Sequence, residues 1–204
     1  MFYLTIVSCG CRMSKRSVPS FKVVIIGDGG VGKTSIIQRY LGYGFRPQYL
    51  KTIGANFYHK VMEYKDLKLG DLEVQLIVWD LAGQPRFNEV RSAYYKGARG
   101  AAIVFDITKE ESFKNVPGWI QEFWNNVGIK PFVLVGNKKD LRGEAKTVPE
   151  KEVKELLLHY SQKLGVEIPY IESSAKTGEN IEKIFKSLVK IVLDFMIKKL
   201  KKKE

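Results

Sequence analysis

Eight consecutive residues, Gly27-Asp28-Gly29-Gly30-Val31-Gly32-Lys33-Thr34, match the pattern G-x-x-x-x-G-K-[ST], and their types suit the holding of phosphate. Glycines let the backbone curl so that successive N–H groups point inward at an anion. A helix beginning at Lys33 adds the partial positive charge of its N-terminus. The Lys33 ammonium has the reach for the β and γ phosphates of a triphosphate. The Thr34 hydroxyl suits Mg²⁺, a hard cation that takes oxygen ligands. Ser35 is counted with the same phosphate-binding set. A plain glycine turn accounts for the glycines but not for the lysine and threonine at this spacing.

A phosphate loop does not choose between adenine and guanine. Asn137-Lys138-Lys139-Asp140 makes that choice. A carboxylate at Asp140 accepts two hydrogen bonds, from guanine N1–H and its exocyclic amine. Adenine presents no such donor pair, and a buried carboxylate left unpaired is costly. Four residues of this kind are a weak signal alone, since surface Lys-Asp pairs are common. Behind a phosphate loop the signal is strong. Ser174-Ala175-Lys176 adds a second match: the Ala175 N–H faces the guanine carbonyl and the Lys176 stem packs near the base.

The elements that must position these groups can be read from hydrophobic patterning. Short β-rich runs alternate with helical patterns, which argues a parallel α/β sheet. Strands are expected over 21–26, 56–64, 72–79, 100–106, 132–137 and 168–173. The short link 65–71 carries Gly70-Asp71 and predicts an antiparallel hairpin between the second and third strands. Helices are expected over 33–41, 113–127, 153–164 and 180–200. Thr108 with Glu111, and Thr147 with Glu150, have capping-box spacing before the middle two. Ile181, Ile184, Phe185, Leu188, Val189 and Val192 form one apolar face of the last helix, opposite Glu182, Lys183, Lys186 and Lys190. Both phosphate and base motifs then fall at strand C-terminal ends, where open α/β sheets bind ligands.

With these motifs in place, the chain resembles the Ras superfamily of small GTPases over about residues 21–193, and within it the Rab group. The likeness rests on Thr52-Ile53-Gly54-Ala55-Asn56-Phe57, Trp79-Asp80-Leu81-Ala82-Gly83-Gln84, Tyr94-Tyr95-Lys96-Gly97-Ala98 and Phe105-Asp106-Ile107-Thr108. The resemblance implies a three-layer P-loop fold, with a six-stranded, mostly parallel sheet, one antiparallel edge strand and five helices. It implies GTP and GDP as ligands with Mg²⁺, slow GTP hydrolysis, and a switch of use in trafficking or signalling. Thr52 and Asp80 are implied as metal ligands beside Thr34, and Gly83 as a donor to the γ-phosphate. Gln84 is implied as the residue that orients the attacking water, with Lys33 as its catalytic companion, and Phe45 as the aromatic against the guanine. Implied partners are effectors that read two switch loops, an exchange factor and a GAP. Leu81 stands where threonine is usual, and Pro85 where glutamate is usual. Pro85 restricts the backbone of Gln84, so a pseudo-GTPase that holds nucleotide and barely hydrolyses it is a rival reading. An ATPase or kinase is a weaker one, because it leaves Asp140 without a partner.

A chain of 204 residues suits one domain, expected over 21–195 between an N-terminal extension, 1–20, and a basic tail, 196–204. The formal net charge is +12, of which the first 20 residues hold +3 and the last seven +4. The lysine run is compatible with a solvated tail and with attraction to anionic lipid. Basic residues are not interleaved with aromatics in a stripe, so no nucleic-acid partner is expected. Cys9 and Cys11 lie too close together for a structural disulfide and could carry acyl groups. On the chain as written, neither C-terminal prenylation nor N-myristoylation after Met1 or Met13 is expected. A cytoplasmic monomer, peripheral at a membrane surface, is the expected state. His59 and His159 are assigned structural places in a strand and a helix.

Overall fold

The computed structural model describes residues 18–45, 52, 54–66, 70–84 and 88–201. Expectations that fall on Cys9, Cys11, Met13, Pro85 or residues 202–204 lie outside them. Six strands form one sheet among the described residues: β1 (Ser20–Ile26), β2 (Ala55–Asp66), β3 (Gly70–Leu81), β4 (Gly100–Asp106), β5 (Phe132–Asn137) and β6 (Tyr170–Ser173), in the order β2-β3-β1-β4-β5-β6. β1 runs parallel to both β3 and β4, and β4, β5 and β6 continue in parallel. Only β2 is antiparallel, pairing β3 from Ala55 opposite Leu81 to Asp66 opposite Gly70. The hairpin is therefore longer at both ends than its apolar cores suggest.

Every residue of β4 and β5 is buried. Their unbroken apolar runs are the mark of strands covered on both faces. β3 instead alternates, burying Val74, Leu76 and Val78. The helices are α1 (Lys33–Tyr40), α2 (Asn88–Tyr95), α3 (Glu110–Lys114), α4 (Val116–Val127), α5 (Glu150–Leu164) and α6 (Ile181–Lys201). α1 meets α6 through Tyr40 stacked on Phe185, with centroids 3.8 Å apart. α2 meets α4 through Tyr95 and Phe123, 5.9 Å apart. The six apolar residues expected on one face of α6 are all buried, and Glu182, Lys183, Lys186 and Lys190 are exposed.

Some local expectations are corrected. The helix expected over 113–127 begins at Glu110 and is interrupted at Asn115, so α3 and α4 are two runs of one helical segment and the helical segments number five among the described residues. Pro117 explains the break, since it has no N–H to give and its ring crowds the carbonyl four residues back. Neither capping box forms. Thr108 turns its hydroxyl to Asp106 Oδ1 at 2.7 Å, leaving Lys109 as the N-cap. Thr147 accepts from Arg142, and Pro149 caps α5. β6 starts at Tyr170, not 168, because Pro169 offers the ladder only its carbonyl, which accepts from the Leu134 N–H.

Candidate functional site

β1 lies between β3 and β4, so the connections leave it in opposite directions and open a crevice at its C-terminal end. The glycine-rich loop Gly27 to Thr34 follows β1 at that end. Gly32 sits at φ 98° with its backbone against Asn137; a Cβ there would lie 2.3 Å from Asn137 Nδ2. Lys33 is buried, and its ammonium donates to the Gly27 and Asp28 carbonyls at 2.8 Å each. Desolvation pulls the Lys33 pKa down to about 8, against the charges of Asp80 and Asp28. An anion beside it favours its charged form.

Thr34, Thr52 and Asp80 come from a helix start, a loop and a strand end, and converge. Thr34 Oγ1 donates to Asp80 Oδ2 at 2.5 Å and lies 3.0 Å from Thr52 Oγ1. Asp80 is fully buried, and its Oδ1 has no hydrogen-bond partner among the described residues. Burial pushes its carboxyl up to about 6, in spite of the Thr34 hydrogen bond and the Lys33 charge. A buried carboxylate oxygen without a donor, beside two hydroxyls, is a hard-oxygen set that fits Mg²⁺. No group of three His, Cys, Asp or Glu is gathered among the described residues. Such an ion would thus rest on two hydroxyls, one carboxylate and the ligand's own phosphates, as Mg²⁺ commonly does.

Gly83 follows β3 and presses on the phosphate loop. A Cβ on it would lie 2.1 Å from the Gly27 carbonyl oxygen and 2.6 Å from Lys33 Nζ. Only glycine brings the backbone this close. Gln84 comes next, half-buried, with its carbonyl accepting from Arg91 Nη1 at 3.1 Å. A cleft of about 650 Å³ opens beside Gly29, Gly83 and Gln84, with Arg91, Trp119 and Glu122 on its far wall.

Asn137, Asp140 and Ser174 to Lys176 meet at the ends of β5 and β6. Asn137 Nδ2 donates to the Val31 carbonyl at 2.8 Å, and its Oδ1 accepts from the Ala175 N–H at 3.2 Å. Ser174 Oγ donates to Asp140 Oδ1 at 2.5 Å and accepts from the Thr177 N–H. Lys176 Nζ is 3.9 Å from Asp140 Oδ2. Lys138 holds a left-handed backbone, φ 70°, and its ammonium reaches Asp106 Oδ2 at 2.6 Å. Phe45 stands 39% exposed beyond the end of α1.

Several contacts had no sequence signal. The Asp28 side chain is turned to α4, accepting from Trp119 Nε1 at 2.7 Å and Asn115 Nδ2 at 2.8 Å. Arg91 joins Glu122, and Arg39 donates to the Thr177 carbonyl. These contacts join residues 31 to 138 positions apart, beyond any local spacing rule.

The Ras family model matches residues 22–194. The chain belongs to the Ras family. Among relatives, Ras-related protein RABG3f of Arabidopsis thaliana is 38% identical over 89% of this chain and 86% of its own length. The Ypt/Rab-type GTPase YPT7 of Saccharomyces cerevisiae is 38% identical over 89% and 85%. Ras-related protein SEC4 of the same yeast is 35% identical over 93% and 82%. As a Ras-family member the chain is a small GTPase, a switch that binds guanine nucleotide and hydrolyses GTP.

Proposed function

We propose that residues 21–195 form the G domain of a Rab-like switch, and that Gly27 to Ser35 with Gly83 hold the phosphates of GTP. Thr34, Thr52 and Asp80 hold Mg²⁺, which when bound neutralises charge on the phosphate oxygens. Asn137, Asp140, Ala175 and Lys176 read the guanine, with Lys138 and Ser174 bracing them and Phe45 beside the base. Lys33 steadies the β and γ oxygens, and Gln84 orients the water that attacks the γ-phosphorus. Intrinsic turnover is slow, on the order of 10⁻⁴ to 10⁻² per second when no arginine is supplied from outside.

The observation that supports this reading best is the Thr34–Asp80–Thr52 cluster beside the buried Lys33. It brings switch-loop Thr52 to the residues that would face the triphosphate. Loss of the γ-phosphate removes what tethers Thr52 and Gly83, and both loops relax. Effectors read the tethered loops, and an exchange factor and a GAP set the dwell time in each state. The names of the relatives point to the Rab branch and hence to trafficking at a membrane surface, where the basic end of the chain adds attraction to anionic lipid. No helix among the described residues is long and apolar enough to cross a membrane.

The test is single-turnover hydrolysis of preloaded GTP. Phosphate release that is slow, measurable and abolished in Gln84→Leu supports the reading. Release that is absent in the unaltered protein over many hours favours an interaction module that holds nucleotide without turning it over.

A further inference from the structure

Arg91 is 2% exposed, an unusual place for a guanidinium. Its Nε and Nη2 donate to the two oxygens of Glu122 on α4, at 2.7 and 2.8 Å. Its Nη1 donates to the Ala82 and Gln84 carbonyls, both at 3.1 Å. Tyr95 donates to Glu122 Oε1 at 2.8 Å, and the guanidinium lies 4.6 Å from the centre of the Trp119 ring. The Trp119 indole N–H in turn ends on Asp28 of the phosphate loop.

This fork fixes two peptide planes. The Ala82 carbonyl belongs to the peptide that leads into Gly83, and the Gln84 carbonyl to the peptide that follows Gln84. Between them lie Gly83, wedged against Gly27 and Lys33, and Gln84 itself. With both flanking planes held, the Gln84 side chain keeps few degrees of freedom beyond its own χ rotations. The next residue, Pro85, has no N–H with which to anchor this turn. An arginine is suited to the task because its fork is planar and always charged, whereas lysine offers a point charge.

We propose that Arg91, held by Glu122, is a positioning residue for GTP hydrolysis, acting through the backbone of Gln84. The inference rests on the reading of Gln84 as the residue that orients the attacking water. It assigns α4 a part in the reaction, since Glu122 and Trp119 tie the segment that carries Gln84 to the helix and to the phosphate loop.

The experiment measures phosphate release from preloaded GTP and the GDP release rate in Arg91→Lys, Arg91→Met, Gln84→Ala and the Gln84→Ala/Arg91→Lys pair. Arg91→Lys keeps a cation against Glu122 and so guards against simple misfolding. It should slow hydrolysis roughly tenfold to a hundredfold, the scale of a small misplacement. GDP release should stay within about threefold of the unaltered protein, which a general loss of structure does not permit. Adding Arg91→Lys to Gln84→Ala should cost nothing further. Normal hydrolysis in both Arg91 variants beside a slow Gln84→Ala overturns the proposal and leaves the Gln84 reading standing. A full additional loss in the pair also overturns it. Normal hydrolysis in Gln84→Ala overturns the Gln84 reading, and this proposal with it.

Discussion

Asn137 Nδ2 donates to the Val31 carbonyl at 2.8 Å across 106 positions of chain. One buried amide thereby ties the Gly27–Thr34 loop to the segment Ser174 to Lys176, since its oxygen also takes the Ala175 N–H. Asn137→Ala leaves a buried carbonyl and a buried N–H without partners, at about 1–3 kcal/mol each. Release of a fluorescent GDP should accelerate by roughly ten- to a hundredfold, at about 1.4 kcal/mol per factor of ten. A release rate equal to that of the unaltered protein would show that the two loops are coupled by other means.

Asp140 is oriented by the Ser174 hydroxyl on one oxygen and approached by Lys176 on the other. Replacing it with asparagine exchanges an acceptor for a donor at the purine edge. GTP should weaken by about a hundredfold or more. Xanthosine triphosphate should gain, because xanthine has a carbonyl where guanine has its amine. Competition binding with the two nucleotides checks this, and unchanged GTP affinity counts against the assignment.

The overall topology could be read ahead from unbroken apolar runs such as 100–106 and 132–137, because strands buried on both faces tolerate little else. The motifs Gly27 to Thr34 and Asn137 to Asp140 stood out in the sequence for a different reason: the chemistry proposed for them ties residue type and spacing within a few positions. The first capping box misled because spacing was used without the competing acceptor: the Asp106 carboxylate takes both the Thr108 N–H and the Thr108 hydroxyl. The Arg91–Glu122 clamp and the Trp119–Asp28 bond had no local signature, as each joins residues that only the finished sheet brings together.

Chelation of divalent cations tests the oxygen cluster. A metal–phosphate interaction is worth several kcal/mol, so EDTA should speed nucleotide release by about a hundredfold or more. Thr34→Asn should bind GTP poorly even in excess Mg²⁺. Release indifferent to EDTA would remove Thr34, Thr52 and Asp80 from the metal assignment.

Tyr40 and Phe185 carry the contact between α1 and α6, and both are buried. Phe185→Ala should destabilise the protein by about 3–5 kcal/mol, read from the urea unfolding midpoint at fixed nucleotide. A loss below about 1 kcal/mol would mean that the space left by the ring collapses freely.

The basic end of the chain tests membrane attraction. Lys198 donates to the Gly165 carbonyl at the end of α5, so it is left intact. Reversing Lys199, Lys201, Lys202 and Lys203 to glutamate should abolish binding to phosphatidylserine vesicles at low salt, at roughly 1 kcal/mol per basic residue. Binding unchanged by the reversals would place any lipid contact elsewhere.

The most direct measurement is the identity of the nucleotide that the native protein carries. The purified protein is denatured and the supernatant resolved by ion exchange. The site predicts GDP or GTP close to one per chain, with guanine nucleotides displacing it and adenine nucleotides failing to. An empty protein that prefers ATP in solution would contradict the reading of Lys33, Asn137 and Asp140 together.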